Sequence, residues 1–371
     1  MPISTINTNS IADDAVTVPK VADQVLTHRN LIINGAMQVA QRGTSSTSGT
    51  GYNTVDRVNI VIGNTDELSL TQAQVSDAPD GFANSYKLTT STAETALAAD
   101  ERVAVDFVLE AQNLQQLKYG TASAESVTLS FWVKSSVTGN YAFWLYQDDA
   151  TRGYATTYTV NSANTWEQKI ITVPGDTSGV INDDNGRGMT LRFHVAAGSS
   201  YVGGTQNSWL AYASNTEAAG QVADIATTLN ATWQVTGIQL EVGDTATPFE
   251  HRSYGDELAL CQRYLYSATN SDTGYIASFW QYDGNSNLNA FLKFPTTMRA
   301  EPTLVHNASN SGYFVGYGAG QGLSWTTLTL NSQTLDSAMI FNNQFNAYGS
   351  GTAGGLYVGS SAAYLWMDAE I

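Results

Sequence analysis

Basic residues are scarce: 16 Lys and Arg stand against 33 Asp and Glu in 371 residues, a formal net charge of −17. Nucleic-acid backbones are bound through a positive footprint, so nucleic acid is not an expected partner. Cysteine is nearly missing, with Cys261 alone. A single thiol excludes an intrachain disulfide framework and any zinc cluster built on cysteines. No apolar run approaches the roughly 20 residues that span a bilayer, so membrane insertion is not expected. The opening MPISTINTNSIADDAVTV has neither the basic flank nor the apolar stretch of a secretory signal. Charged residues make up only 13% of the chain, about half the usual share. Only 7 prolines accompany 32 glycines, which points to flexible rather than rod-like connections.

What is present favours strands. Apolar residues reach 42%, enough for real cores. Runs rich in Thr, Val, Tyr, Trp and Ser alternate with Gly, Asn and Asp clusters, the pattern of antiparallel β structure. In VTLSFWVK, Val127, Leu129, Phe131 and Val133 share one face and Trp132 and Lys134 the other. YAFWLYQ places Tyr141, Phe143 and Leu145 together, with Trp144 and Tyr146 opposite, and the two runs read as a β-hairpin joined through Gly139-Asn140. MTLRFHV sets Met189, Leu191, Phe193 and Val195 against Arg192 and His194. WQVTGIQLEV changes parity at Gly237, which predicts a bulge. RVAVDFVLEAQNLQQLKY loses strict alternation and is read as including a short helical turn, and Trp166 reads as a core residue.

The expected architecture is all-β. An extended N-terminal assembly segment (1–30) leads into an antiparallel jelly-roll-like β-sandwich (31–253), then a short helix and a smaller C-terminal β domain (254–371). Residues 1–30 hold no aromatics and too few apolar residues to form a core. They read either as a tail or, the reading preferred here, as a segment that orders against its own copies or a docking partner. A connector at 244–256 precedes a helix that Asp256 can cap, with Leu258, Cys261 and Leu265 on one face. Cys261 is then a small buried hydrophobe rather than a nucleophile.

Motifs for chemistry are few. None of the four histidines (His28, His194, His251, His306) sits in a recognisable spacing with Ser or Asp, and no nucleophile elbow, phosphate loop or metalloprotease motif is present. Acidic residues such as Asp148, Asp149, Asp183, Asp184 and Glu241 are available for glycoside chemistry, but that requires two carboxylates converging in space. The turn Asp183-Asp184-Asn185-Gly186 lacks the ligand pattern of a calcium loop and reads as a hydrophilic turn. No enzyme activity, cofactor or metal is expected. The informative feature is the strand face carrying Trp132, Trp144, Tyr146, Arg192 and His194. Aromatic planes pack on sugar C–H faces, while a guanidinium and an imidazole hydrogen-bond hydroxyls. These five are the candidate glycan contacts, although such aromatics also serve as packing under loops or between subunits.

The stretch HRNLIINGAMQVAQRG (His28–Gly43), the following YNTVDRV, and LEAQNLQQLKYGTASAESVTLSFWVKSSVTGNYAFWL (Leu109–Leu145) resemble fibre or receptor-binding proteins of tailed bacteriophages of the marine, cyanophage type. TWEQKIITVPGDTSG, GIQLEVGDTATPFEHRSYGDELALCQRY, FPTTMRAEPTL and the terminal DAEI are similar as well. Val58 departs from the pattern, where relatives often carry Trp. The resemblance implies a carbohydrate-binding-module-like sandwich in a homotrimeric virion fibre. Such a fibre is an external appendage assembled in the host cytoplasm and attached to tail, baseplate or capsid proteins through residues 1–30. The implied function is adsorption to host surface polysaccharide without catalysis. A decoration or connector protein without receptor binding, and a glycan-degrading tailspike, are the alternatives.

Overall fold

A computed structural model describes residues 28–269, 273–281, 288–308, 312–318, 321–342 and 352–371. The assembly segment read at 1–30 lies almost wholly outside them. The described chain is all-β with antiparallel pairing throughout, and its first unit is a sandwich of two sheets. One sheet runs, edge to edge, through Ser45–Ser46, Ser69–Val75, Ser85–Thr92, Thr232–Val242, Val127–Ser135 and Glu167–Val173. The other runs through Trp209–Ala211, Arg152–Val160, Gly139–Gln147, Arg187–Ala197, Arg102–Glu110, Asn59–Gly63 and Gly51–Tyr52.

Strand parity predicts the inward faces correctly. Val127, Leu129, Phe131 and Val133 face Tyr141, Phe143, Leu145, Leu191 and Phe193 in one buried cluster. Phe193 is its hub, with ring centroids 5.0 Å from Phe131 and 5.2 Å from Phe143. Each large side chain taken fully out of water contributes about 1.5–3 kcal/mol. A polar end that enters this core is matched where the Trp233 indole donates to the Tyr158 hydroxyl at 3.1 Å.

The hairpin expected through Gly139-Asn140 does not form. Val127–Ser135 pairs with Glu167–Val173 and Thr232–Val242, whereas Gly139–Gln147 pairs with Arg152–Val160 and Arg187–Ala197. The chain instead crosses from one sheet to the other. Both runs present apolar inner faces, and stacking those faces across the sandwich buries more than lying side by side. The Ser135 hydroxyl holds the crossover, sharing a hydrogen bond with Tyr141 Oη at 2.8 Å and accepting from the Val137 N–H at 3.1 Å. The bulge at Gly237 is present as a register shift between Thr236 and Gln239. Gly237 has φ +61°, and a Cβ there would come within 2.6 Å of the Phe82 ring. The break in alternation after Glu101 has two causes. Arg102–Glu110 is buried on both faces, and a 3-10 turn follows at Ala111–Leu117. Trp166 is not core. It lies half-buried on the surface, its indole donating to Asp77 at 3.3 Å under the Lys134 ammonium.

The helix is Tyr254–Gln262, and its cap is Ser253 rather than Asp256. Asp256 sits three residues on, its N–H donating to Ser253 Oγ while its carboxylate accepts from that hydroxyl, so the cap hydroxyl is fixed between the two. Glu257 and Cys261 are its buried positions, Leu258 is half-buried, and Leu265 already belongs to a strand. Beyond it lie a three-stranded sheet (Leu265–Ser267, Leu365–Asp368, Thr303–His306) and a seven-stranded sheet. The latter is ordered Gln321–Ser324, Phe314–Gly318, Ala353–Val358, Gly274–Gln281, Leu288–Lys293, Ser337–Asn342, Thr329–Gln333. The two sheets enclose a second core around Phe279, Phe314, Trp325, Ile340 and Met367.

The motif HRNLIINGAMQVAQRG turns out to be a fastening. Asn30 donates its amide to Ile238 O and accepts from Ile32 and Leu240 N–H groups. Asn34, at φ +61°, bridges Val39, Asp56 and Gln38, and its N–H donates to Glu257 on the helix. Arg252 in the connector donates to Asn30 O and Ile32 O. The YNTVDRV and DAEI motifs also meet. Arg57 ion-pairs with Glu370, donates to Val108 O at 2.6 Å and lies 3.6 Å from the Tyr264 ring. Arg42 pairs with Asp368 at 2.9 Å and Glu370 at 3.2 Å, and Tyr52 Oη donates to Ile371 O at 2.6 Å.

Arg57 is 3% exposed and the Glu370 side chain 6%, so removing one partner strands a buried charge. Glu370→Gln is expected to cost about 3 kcal/mol, read as a lowered midpoint in guanidinium unfolding. Replacing Arg57 with Met and Glu370 with Leu together should recover most of that loss.

Candidate functional site

The side chains that could do chemistry converge on the outer face of the seven-stranded sandwich sheet. Trp144 and Tyr146 project from the same side of Gly139–Gln147 and stack with centroids 4.5 Å apart at 22°. That face is partly roofed: the segment 198–223 returns across it, and Ala219 packs with Trp144 and Ala155. Tyr212 arrives on this segment, its ring 5.8 Å from both Trp144 and Tyr146. The result is an open cleft of ≈ 230 Å³ lined by Arg102, Trp144, Tyr146, Asp148, Arg187, Thr190, Arg192, Tyr212 and Glu217.

Three of the five predicted contacts come together here, and two do not. Tyr146 is half-buried and faces the cleft. Trp144 lines it too, but is only 3% exposed, so it backs the Tyr146 ring rather than offering an open plane. Arg192 also lines the cleft, yet its nitrogens are already engaged. Two bond Asp106 at 2.8 Å each and the third bonds Glu217 at 2.9 Å. It braces the cleft floor, 5.5 Å from the Trp144 ring. His194 is fully buried, and among the described residues neither ring nitrogen has a partner. Burial and the charges of Arg192 and Arg102 hold it well below the usual histidine range, hence neutral. Trp132 is half-buried on the outer face of the other sheet, paired with Gln168 and Thr236. The crossover that replaces the expected hairpin is what separates it from Trp144.

Other residues complete the cleft. Glu217 gathers Arg102 at 2.8 Å and the Tyr212 hydroxyl at 2.7 Å besides Arg192. Tyr212 is 47% exposed and supplies the accessible ring. Thr190 Oγ1 donates to Asp148 at 2.8 Å, and Arg187 stands 3.5 Å from the same carboxylate. Thr190 shares Arg192's parity and was legible in principle. Glu217 lies in irregular chain and carries no periodic signal.

Three guanidinium groups and the carboxylates of Asp106, Asp148 and Glu217 nearly cancel, so the cleft presents paired donors and acceptors beside aromatic rings rather than net charge. Such a surface can stack on a ring's C–H face and hydrogen-bond its hydroxyls. A larger groove of ≈ 500 Å³ by His28, His251, Arg252 and Leu260 also opens at the connector, but its Glu250 carboxylate is engaged by the His28 and Asn30 N–H groups. Among the described residues, Asp66, Glu94 and Glu101 form the one acidic group whose ligand atoms, within 4.8 Å of one another, could hold a metal. The turn at 183–186 is a contact between the two units: Asn185 exchanges hydrogen bonds of 2.7 and 2.8 Å with Arg299.

No family model matches the chain, and no curated protein matches it. Among solved structures it is similar to a family 11 carbohydrate-binding module from Clostridium thermocellum in complex with a β-1,3-1,4-mixed-linked tetrasaccharide. That match has 12% identity, 52% of this chain, 91% of the other and a TM-score of 0.28. TmCBM61 in complex with β-1,4-galactotriose is similar at 10% identity, 58% and 99% coverage, and TM-score 0.27. The enzymatically active domain of bacteriophage CBA120 tailspike protein 4 is similar at 10% identity and TM-score 0.32, over 57% of this chain but 21% of that one.

Asp148 provides a test of the cleft's electrostatics. Burial raises its pKa to about 6, against the pull of Arg187 and the Thr190 hydroxyl. The folded pKa is above the unfolded value, so the protonated form is the one folding favours. That stabilisation is complete below about pH 4 and lost as pH rises through about 6. Asp148→Asn is therefore expected to stabilise the protein at pH 8, on the order of 1 kcal/mol, and to give no gain at pH 4. Guanidinium unfolding at the two pH values checks this.

Proposed function

We propose that the protein is a virion fibre protein whose sandwich binds host surface polysaccharide non-covalently during adsorption. The observation that carries this reading is the Trp144–Tyr146–Tyr212 cleft, with its stacked rings, compensated charges and open mouth. Shallow, charge-balanced and partly aromatic, it fits a hydroxyl-rich ligand better than a phosphate or a peptide carboxylate. The resemblance of His28–Gly43, Leu109–Leu145 and the terminal DAEI to phage fibres supports the virion assignment. On this reading the chain is a homotrimer on the outside of the particle, assembled in the host cytoplasm and attached through residues 1–30 to tail, baseplate or capsid proteins.

One observation favours a second reading. Asp148 and Glu217 line the same cleft, and Asp148 holds its proton to about pH 6. Two carboxylates in different environments are also the raw material of glycoside hydrolysis. Release of new reducing ends from host polysaccharide would establish a glycan-degrading spike instead.

Tyr212→Ala is expected to weaken adsorption of purified protein to host envelopes about tenfold, with the trimer intact by sedimentation. Unchanged binding overturns the cleft as the receptor site. No affinity of the unaltered chain for envelopes leaves a decoration or connector protein.

A further inference from the structure

The second β unit repeats the construction of the cleft where it meets the sandwich. Tyr364 and Trp366 project from one side of the chain entering and forming the Leu365–Asp368 strand. They stack with centroids 4.3 Å apart at 21°, nearly the geometry of Trp144 and Tyr146 at 4.5 Å and 22°. In both places a guanidinium lies near the indole: Arg192 at 5.5 Å from Trp144 and Arg42 at 5.9 Å from Trp366. In both, the guanidinium is held by two carboxylates, here Asp368 and Glu370. The concavities match in size, ≈ 230 and ≈ 220 Å³.

The second concavity is lined by Gln41 from the sandwich and by Ser267, Thr269, Ser361, Ala362 and Ala363 from the C-terminal unit. The Gln41 amide is engaged by Asp56, Leu265 O and the Ser267 N–H, so Thr269 and Ser361 bring the hydroxyls. Among the described residues no hydrogen bond is made by the Trp366 indole N–H or the Tyr364 hydroxyl, and both rings are half-buried. Unengaged donors on two stacked rings, beside serine and threonine hydroxyls, ask for a ligand with an apolar face and many hydroxyls. Arg42 is spent on its carboxylates, so no free cation is left to select a sulfated or uronic sugar. At ≈ 220 Å³ the space is below the roughly 300–1,000 Å³ of pockets for drug-sized ligands, which restricts it to a single sugar unit.

We infer that the junction pocket of Tyr364, Trp366, Thr269 and Ser361 is a second saccharide site, selective for a neutral hexose or N-acetylhexosamine unit. It rests on the reading of the chain as a glycan binder, but not on the Tyr212 cleft being the receptor site.

The test is saturation-transfer NMR on the full chain, with glucose, galactose, mannose and N-acetylglucosamine as probes and glucuronic acid as the charged comparison. Tyr364→Ala, which spares the Arg42 contact, is expected to weaken binding of at least one neutral sugar about tenfold. Trp366→Phe, which removes the indole N–H, should weaken it too, and Tyr212→Ala should leave it unchanged at this site. Glucuronic acid should give no Tyr364-dependent signal. If all neutral-sugar binding disappears with Tyr212→Ala and none with Tyr364→Ala, the second site is overturned while the cleft reading stands. If no neutral sugar binds the unaltered chain, the second site is overturned, and envelope adsorption decides the cleft separately. Preference for glucuronic acid would overturn the neutral-sugar assignment.

Discussion

The contact of Arg57 with Glu370 sets the relation between the two β units. A guanidinium 3% exposed cannot be left without an anion, because burying an unpaired charge costs several kcal/mol. Arg57 sits at φ +67° in the chain leading to Asn59–Gly63, a backbone state that turns its side chain inward under the Tyr264 ring. Glu370 answers it from the last residues of the chain, and Arg42 doubles the arrangement through Asp368. Held at both ends, the C-terminal strand closes the three-stranded sheet and fixes the pocket beside Gln41. Arg263 with Glu110, at 2.7 and 2.8 Å, ties the chain after the helix to the sandwich in the same way. In a chain with so few charges, these pairs act as specific fasteners between surfaces that are otherwise hydroxyl and amide.

The all-β class, the inward residues of the long strands and the Gly237 bulge were legible because side-chain alternation is a local property of the backbone. Pairing partners were not. Alternation tells which residues share a face but not which sheet the strand joins, and Val127–Ser135 and Gly139–Gln147 read equally well as neighbours or as opposing layers. That ambiguity moved Trp132 to the far side of the molecule from Trp144. His194 shows a second limit. Its parity is outward, as expected, yet the ring is fully buried: outward from a sheet is not outward to solvent. Tyr212 and Glu217 sit on the irregular segment 198–223, where no period marks them. Asn30, Asn34, Arg57 and Glu370, in motifs quoted for resemblance, instead hold backbone and one another at the junction.

The two concavities have a common physical origin. A Trp and a Tyr two residues apart on a strand stand on one side of it, and their rings stack because each shields the other's face from water. A nearby arginine adds a cation over the indole, and the carboxylates that neutralise it also fix where it lies. That set builds a rigid, nearly neutral surface from very few residues, with the recognition groups supplied by whichever hydroxyl-bearing side chains stand at its rim.

Charge explains why such surfaces suit this chain. At −17 it is repelled by an anionic cell envelope and gains no electrostatic steering toward it. Screening confines that repulsion to roughly 8 Å at physiological ionic strength, so attraction must arise within contact distance, from stacking and hydrogen bonds. Small clefts bind weakly one at a time, and weak sites become effective when several on one particle engage the same polymer. On the proposed glycan reading, a hydroxyl-rich, charge-poor exterior would keep nonspecific adhesion low, so that retention would depend on how many clefts are filled at once.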